Sequence, residues 1–250
     1  MRVLFVKQDH CSPDALIGDA FAAAGYDVTE MVVVPKERFH SPDVAVTFPS
    51  AHDYDAVAFF GAAWSVYDTE TIPWITDEIA YARSLISLGV PTLGICFGGQ
   101  VLAAAVGGHV ERAPIPEIGW LSVASSEPVL IDSGPWLSWH FDRFTVPAQV
   151  PVVARTALAS QAFVSGRTLG LQFHPEVTDA VLEAWLGAED AARLTESGVD
   201  PQALIEQART LADGAAARAH GLVRRFVHDV ARRPVSELPA ITLAGGNSSL

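Results

Sequence analysis

A cysteine between two glycines is the first candidate for chemistry in this chain. Cys96 lies in the segment "LGICFGGQ", where a short apolar run ends, and Gly94 and Gly98 flank it at two residues on either side. This spacing is typical of a sharp turn from a strand into a helix that presents a nucleophilic side chain. The N-terminus of a helix favours the thiolate, which is the reactive form of cysteine. The alternative is a core cysteine, because free cysteines are among the most buried residues.

A histidine and a glutamate after a later apolar run supply the base that a thiolate nucleophile needs. His174 and Glu176 are two residues apart in "GLQFHPEV", and the period of two in extended backbone directs both side chains to one face. The carboxylate can then accept a hydrogen bond from one ring nitrogen and leave the other nitrogen for the thiol. The pattern predicts a catalytic triad of Cys96, His174 and Glu176, against the alternative of a hydrogen-bonded surface histidine.

Elements that alternate between strand and helix must position these residues. Four short runs rich in β-branched and aromatic residues indicate buried strands, and they cover residues 2–6, 28–34, 55–60 and 91–95. In the first helix between them, Ser12 is the predicted N-cap, Pro13 occupies the first position and Gly25 is the stop. Such alternation predicts a parallel sheet with its site at the carboxyl ends of the strands. The predicted fold class is α/β, a three-layer sandwich with a central, mostly parallel sheet of flavodoxin-like type.

The second half of the chain has a different pattern of predicted strands and helices. Residues 109–173 contain short strands with turn signals and are predicted to form antiparallel hairpins that continue or flank the sheet. Thr178 is the predicted N-cap of a helix, and Asp200 and Pro201 are predicted to open a longer one. The predicted organisation is one domain over residues 1–185, a helical extension packed on it over 186–234, and a tail over 235–250.

Four motifs together resemble the class I, or triad, glutamine amidotransferase family. "GICFGGQ" matches the family's nucleophile motif G-[IV]-C-x-G-x-Q, and "GLQFHPE" matches its His-Pro-Glu motif. "WHFDRFTVP" resembles the family's H-x-D stretch, and "FFGAAWSVYD" resembles its loop G-G-P-x-S-V-Y-D. The resemblance covers about residues 1–185 in the family's order, and it is strongest to stand-alone proteins similar to the amidotransferase domain of GMP synthase.

The resemblance implies an enzyme that hydrolyses the side-chain amide of glutamine without a cofactor or a metal. Cys96 would attack the γ-carboxamide carbon to form a γ-glutamyl thioester, His174 would transfer protons, and Glu176 would orient the imidazole. The backbone N–H groups of Ala62 and Phe97 are the implied donors to the oxyanion. The candidates for substrate binding are Gln100, which matches the family glutamine, and the pocket-lining residues Trp64, His140, Phe141 and Asp142.

One loop departs from the family pattern and leaves the function open. The chain has Gly61-Ala62-Ala63 where the family has Gly-Gly-Pro, and alanine would be strained if position 62 required a positive φ. The loop is then either tolerated, completed by a conformational change, or suited to another acyl substrate. Three functions follow: a glutaminase that supplies ammonia to a separate synthetase, a hydrolase of γ-glutamyl amides or peptides, and a non-catalytic module that binds a metabolite or a partner.

Composition sets limits on partners and location. The net charge of −13 argues against nucleic acid and anionic membranes as partners, because binding phosphates needs clustered Lys and Arg. The two cysteines give no disulfide framework, and the apolar start is interrupted by Lys7 and Asp9 too early for a signal peptide. No run of 18 apolar residues would span a membrane. A cytoplasmic protein is the expectation.

Two further groups of residues are expected to have no chemical role. Asp9, His10 and Cys11 follow the first strand and include metal-ligand types, but the other histidines show no paired spacing, so no metal site is expected. The arginines of the last helix are expected to form a solvated face, and they are Arg218, Arg224, Arg225, Arg232 and Arg233.

Overall fold

An eight-stranded sheet forms the centre of the protein. This computed structural model describes residues 1–187, 194–195 and 198–234 of the chain. The strands of this part are β1 (Arg2–Lys7), β2 (Asp27–Val32), β3 (Ala56–Phe59), β4 (Thr92–Ile95), β5 (His109–Leu121), β6 (Ala124–Ser125), β7 (Trp136–Thr145), β8 (Val152–Arg155), β9 (Ser160–Ser165) and β10 (Thr168–Leu171). The sheet has the order β2-β1-β3-β4-β10-β9-β8-β6. Its first five strands pair in parallel and its last three pairings are antiparallel. The predicted α/β fold with a mostly parallel sheet is confirmed.

Strands β5 and β7 form a separate antiparallel ribbon that flanks this sheet. The ribbon is tied to the end of β10, because the His174 N–H donates to the Leu137 carbonyl at 2.7 Å. Antiparallel hairpins were the expectation for this part of the chain, and the ribbon carries the H-x-D stretch to the carboxyl ends of the parallel strands.

Helices cover the sheet in the described part of the chain. The α-helices are α1 (Ala15–Ala23), α2 (Trp74–Ser87), α3 (Phe97–Ala105), α4 (Asp179–Trp185) and α5 (Pro201–Arg225), and α5 continues as one π-helical turn over Phe226–Val230. Short 3-10 turns lie at Lys36–Arg38 and Ala51–Asp53. Among the described residues, no helix is both long enough and apolar enough to cross a membrane.

The N-cap residues predicted from the sequence are found in the structure except at the first helix. Thr178 caps α4 by accepting a hydrogen bond from the Val181 N–H at 3.2 Å, and Asp200 caps α5 in the same way. The prediction that Ser12 caps the first helix is wrong, since α1 begins at Ala15 after Asp14. The Ser12 hydroxyl instead donates to the Gly61 carbonyl at 2.6 Å, so a tertiary partner replaces the local one.

Helix α5 packs against α1 and α4 and contributes to the main core. Ala219, Leu222 and Val223 of α5 are buried in one cluster with residues of β1 and β10, which include Phe5 and Leu171. Of the predicted extension over 186–234, residues 188–193 and 196–197 lie outside the described part of the chain, as does the predicted tail over 235–250.

Candidate active site

The turn from β4 into α3 holds Cys96 in a strained backbone conformation. Its φ is +52°, a left-handed value that only Ala15 shares among the described non-glycine residues, and such values cost about 1–2 kcal/mol. The flanking glycines make the turn possible. A Cβ on Gly94 would lie 2.5 Å from the Gly98 carbonyl oxygen, and a Cβ on Gly98 would overlap the Phe59 carbonyl. The surrounding chain therefore fixes the thiol at the start of α3.

The Cys96 side chain is buried apart from 8% of its surface. The Gln172 amide nitrogen is 3.8 Å from its sulfur, and the Trp139 carbonyl oxygen is 3.9 Å from it on another side. Phe97 is the first residue of α3, so its N–H has no acceptor within the helix and lies beside the thiol. The dipole of α3 adds a partial positive charge at the same end.

His174 and Glu176 form a buried pair just beyond the end of β10. The His174 Nδ1 and the Glu176 Oε1 are 2.6 Å apart, and both side chains are almost fully buried. Burial lowers the pKa of His174, but the Glu176 carboxylate and the Cys96 thiol outweigh it and hold the pKa well above the usual 6.5. The arrangement therefore favours the imidazolium at neutral pH, next to the thiol.

The loop over residues 61–64 passes directly in front of this histidine. A Cβ on Gly61 would lie 3.3 Å from the His174 Cε1, which shows how closely the backbone approaches the ring. Ala62 and Ala63 are not among the described non-glycine residues with positive φ, so alanine is not strained in the 61–64 loop. The Ala63 backbone N–H, which a proline at this position would lack, lies close enough to the Asp9 carboxylate to lower its pKa.

Asp9 and Ser12 brace the 61–64 loop from the end of β1. The Ser12 hydroxyl contacts both the Gly61 carbonyl, at 2.6 Å, and the Asp9 Oδ1, at 3.1 Å. The Cys11 N–H donates to the same carboxylate oxygen at 2.7 Å. Burial raises the pKa of Asp9, and these hydrogen bonds oppose that shift.

A cavity of about 460 Å³ opens above the Cys96 thiol, and every residue that the sequence suggested for the site lines it. These residues are Cys96, His174, Glu176, Ala62, Phe97, Gln100, Trp64, His140, Phe141 and Asp142. They come from the turn between β4 and α3 with the start of α3, the 61–64 loop, the β7 strand of the ribbon and the segment just after β10. The fold thus brings four separate segments to one edge of the sheet.

Polar residues on the cavity wall are already engaged with one another. Asp142 accepts hydrogen bonds from the Ser65 hydroxyl at 2.6 Å and the Tyr67 hydroxyl at 3.0 Å, and the Arg112 guanidinium is 3.6 Å away. The ring of His140 is enclosed, with Nε2 3.3 Å from the Glu117 carboxylate. The wall therefore has a fixed shape before any ligand enters.

Comparison with known proteins agrees with this geometry. The family model described as glutamine amidotransferase class-I matches residues 20–184. The chain belongs to this family. The GMP synthase [glutamine-hydrolyzing] of Aeropyrum pernix is 35% identical over 150 residues, which are 54% of this chain and 29% of that protein.

Two further matches cover more of the matched protein. One subunit of the GMP synthase [glutamine-hydrolyzing] of Sulfolobus acidocaldarius is 31% identical over 147 residues, which are 55% of this chain and 74% of that protein. The crystal structure of a glutamine amidotransferase from Thermotoga maritima superposes with a TM-score of 0.78 at 25% identity, over 91% of this chain and 98% of that one. The chain spans about 29% of the length of the first relative, so the match to that relative concerns one part of a larger protein.

Sequence reasoning missed several residues of this amidotransferase site. Gln172 lies within the quoted motif "GLQFHPE", and its side chain links the Gln100 amide, at 3.3 Å, to the Cys96 sulfur. Its place in this motif could have identified Gln172 as a site residue. Trp185 at the end of α4 packs edge-on against His174 with the ring centroids 5.1 Å apart, and its indole N–H donates to the Cys11 carbonyl at 2.8 Å. No local pattern marks this tryptophan.

The group of Asp9, His10 and Cys11 lies beside the same cavity. Its potential ligand atoms are within 4.8 Å of one another. The Asp9 carboxylate is already in hydrogen-bond contact with Cys11 and Ser12, which suits a role in bracing the 61–64 loop. The absence of a metal from the reaction stays a prediction.

Proposed function

We propose that this chain hydrolyses the side-chain amide of glutamine, with Cys96 as the nucleophile, His174 as the acid and base, and Glu176 as the group that orients the imidazole. One observation carries the proposal. The strained Cys96 turn and a buried pair of His174 and Glu176, 2.6 Å apart, line one cavity large enough for an amino acid. Membership of the amidotransferase family supports the same chemistry.

The first half-reaction forms a covalent intermediate. The Cys96 sulfur attacks the amide carbon of glutamine, and the imidazolium of His174 gives its proton to the departing nitrogen. The carbon–nitrogen bond breaks, ammonia leaves, and a γ-glutamyl thioester remains on the cysteine. The raised pKa of His174 suits this step, because it favours the protonated ring that can give up the proton.

The second half-reaction restores the enzyme. Neutral His174 removes a proton from a water molecule, and the resulting hydroxide attacks the thioester carbon. The carbon–sulfur bond breaks, glutamate leaves and Cys96 regains its charge-paired state with the imidazolium. The balance of both steps is glutamine plus water to glutamate plus ammonia. Glu176 stabilises the imidazolium throughout because its carboxylate lies against Nδ1.

Both half-reactions pass through a tetrahedral oxyanion that needs preorganised donors. We assign this role to the backbone N–H groups of Phe97, at the start of α3, and Ala62, in the loop held by Asp9 and Ser12. The bracing of the 61–64 loop supports this assignment, since it fixes the backbone without a proline. The departure from Gly-Gly-Pro is then compensated from β1.

The charges on the cavity wall fit the head group of an amino acid. Arg112 and Asp142 present opposite charges to the cavity, with the Arg112 guanidinium also 4.9 Å from the centre of the Phe141 ring. A carboxylate can pair with the arginine and an ammonium group with the aspartate. We assign Gln100, Trp64 and Phe141 to contacts with the substrate, and we assign His140 to holding the wall through Glu117.

We further propose that the ammonia serves a separate synthetase. The match to a relative that is named as one subunit of a GMP synthase supports a division of labour between chains. All the proposed site residues lie within the predicted domain over 1–185, and we propose that the extension over 186–234 belongs to the same body.

The test is ammonia release from glutamine by the purified chain, followed by covalent labelling with a glutamine-mimicking electrophile. We expect turnover and label on Cys96, both lost in Cys96→Ala, while Cys11→Ser keeps the label. No turnover and no labelling of Cys96 would refute the proposal. Turnover of γ-glutamyl amides in preference to glutamine would change the substrate and keep the mechanism.

A further inference from the structure

A second cavity, of about 250 Å³, lies between α5 and the segment that leads into β7. It shares no lining residue with the cavity above Cys96. Three arginines of α5, namely Arg218, Arg224 and Arg225, line it together with a single carboxylate, that of Asp132. The cavity is thus locally cationic in a chain with a net charge of −13.

Arg218 is the residue that most needs a partner there. Its guanidinium lies over the Trp136 ring, with the central carbon 5.6 Å from the ring centroid. Its Nε and Nη2 are buried, and no acceptor in the described part of the chain bonds to them. Buried donors of a charged group are costly when they are unpaired. The unmet hydrogen bonds belong to the planar edge that arginine uses to bind oxyanions.

The helix dipole does not explain this cluster. Arg224 and Arg225 are among the last residues of α5, but the helical backbone continues as a π-helical turn through Val230, and the dipole acts only within the last turn. Arg218 lies about two turns earlier still. The expected solvated face therefore describes Arg224, which is exposed, but not the buried N–H groups of Arg218.

We propose that this cavity binds an oxyanion, namely the phosphate or carboxylate group of a small molecule, through the positive charge of the Arg218 guanidinium. Arg224 and Arg225 add positive charge, and Asp132 is the one group on the wall that opposes it. The apolar walls, which include Leu130 and Leu222, suit the uncharged remainder of such a molecule. The proposal is independent of the chemistry at Cys96.

Trp136 gives the cavity an intrinsic reporter. Its indole lies beneath the Arg218 guanidinium on one side and stacks on Phe173 on the other, with ring centroids 4.7 Å apart. An anion that pairs with Arg218 changes the electric field at this indole. Tryptophan fluorescence should therefore respond to binding, and Trp136→Phe should remove most of that response.

The experiment titrates the intact chain with inorganic phosphate and, in parallel, with succinate, at constant ionic strength. Fluorescence and thermal stability are the two readouts. We expect saturable binding of one or both anions, and the one that binds more tightly identifies the chemical source. Arg218→Gln should weaken binding by about tenfold or more, the equivalent of one charged hydrogen bond. Arg218→Lys should weaken it less, because it keeps the charge.

Arg83→Gln is the matched control, since it removes the same charge from an exposed position on α2. Circular dichroism checks that each variant is folded. Arg224→Gln gives a second test at an exposed position where folding is not at risk, and it should also weaken binding. Absence of saturable binding by either anion would overturn the proposal, as would an equal loss of affinity in Arg83→Gln and Arg218→Gln.

Discussion

Asparagine in place of Asp9 tests whether the 61–64 loop is held in position from β1. The carboxylate of Asp9 accepts a hydrogen bond from the Cys11 N–H and contacts the Ser12 hydroxyl, which also reaches the Gly61 carbonyl. The Ala63 backbone N–H lies close enough to lower the pKa of Asp9. Asparagine keeps the shape and an acceptor Oδ1, but it removes the negative charge, so the contacts with the Cys11 N–H and the Ser12 hydroxyl become weaker, neutral hydrogen bonds. The Ala62 N–H, which we assign to the oxyanion hole, follows the loop when the loop moves.

The size of the effect follows from the charge that is lost. A hydrogen bond to a charged group contributes about 1.5–3 kcal/mol and one between neutral groups about 0.5–1.5 kcal/mol, so two weakened bonds cost about 2–3 kcal/mol. Each 1.4 kcal/mol is about tenfold in rate. If that loss falls on the oxyanion hole, kcat should fall by roughly ten- to a hundredfold. The KM for glutamine should change little, because the oxyanion is absent from the bound substrate.

Steady-state ammonia release gives both constants, and Asp14→Asn is the matched control. Asp14 lies on the same segment but pairs with Lys7 at 2.6 Å, and it is not a lining residue of the catalytic cavity. Asp14→Asn should leave kcat within about twofold. The bracing role is refuted if Asp9→Asn keeps the wild-type kcat, or if both variants lose kcat in proportion to their loss of thermal stability.

Three other predictions concern the histidine, the turn and a buried acid. Glu176→Gln removes the carboxylate that raises the pKa of His174 and leaves the burial that lowers it, so the pH at which His174 loses its proton, followed by NMR of the imidazole, should shift to lower pH; an unchanged titration would contradict the assigned coupling. Gly98→Ala should destabilise the fold by about 1–3 kcal/mol in urea unfolding, because its Cβ meets backbone. Gly221→Ala, which points into open space on α5, should instead stabilise it slightly, and equal effects would count against the packing argument. Burial raises the pKa of Glu78 from 4.5 to about 8, so the unfolded chain loses this proton first and stability should fall as the pH rises from 5 to 8. Glu78→Gln should abolish that dependence, and a wild-type chain equally stable across this range would show that the acid is ionised when folded.

The parallel sheet and the three residues of the proposed triad could be predicted because their signals are local. Apolar runs with alternating helices specify the strands, and a glycine on either side of Cys96 specifies the turn within five residues. His174 and Glu176 are two residues apart, and this spacing alone places both side chains on one face of extended backbone. Each of these patterns constrains backbone that is continuous in the chain.

The remaining features depend on partners that are distant in the chain. Ser12 is a good helix cap in isolation, but Gly61, 49 residues later, takes its hydroxyl. Trp185 reaches the site through a hydrogen bond to Cys11, 174 residues earlier. Local propensity carries no information on such pairings, because the sheet topology decides them. The cationic cavity beside Trp136 has the same origin, since Arg218 meets that ring only after α5 packs on the core.

The thioester is the central claim, and acid quench during turnover tests it most directly. The chain is mixed with excess glutamine, quenched within the first turnovers, digested and analysed by mass spectrometry. We predict a γ-glutamyl adduct on the peptide that contains Cys96, lost on treatment with hydroxylamine and absent in Cys96→Ala. An adduct on another residue, or continued glutamine turnover by Cys96→Ala, would contradict the mechanism.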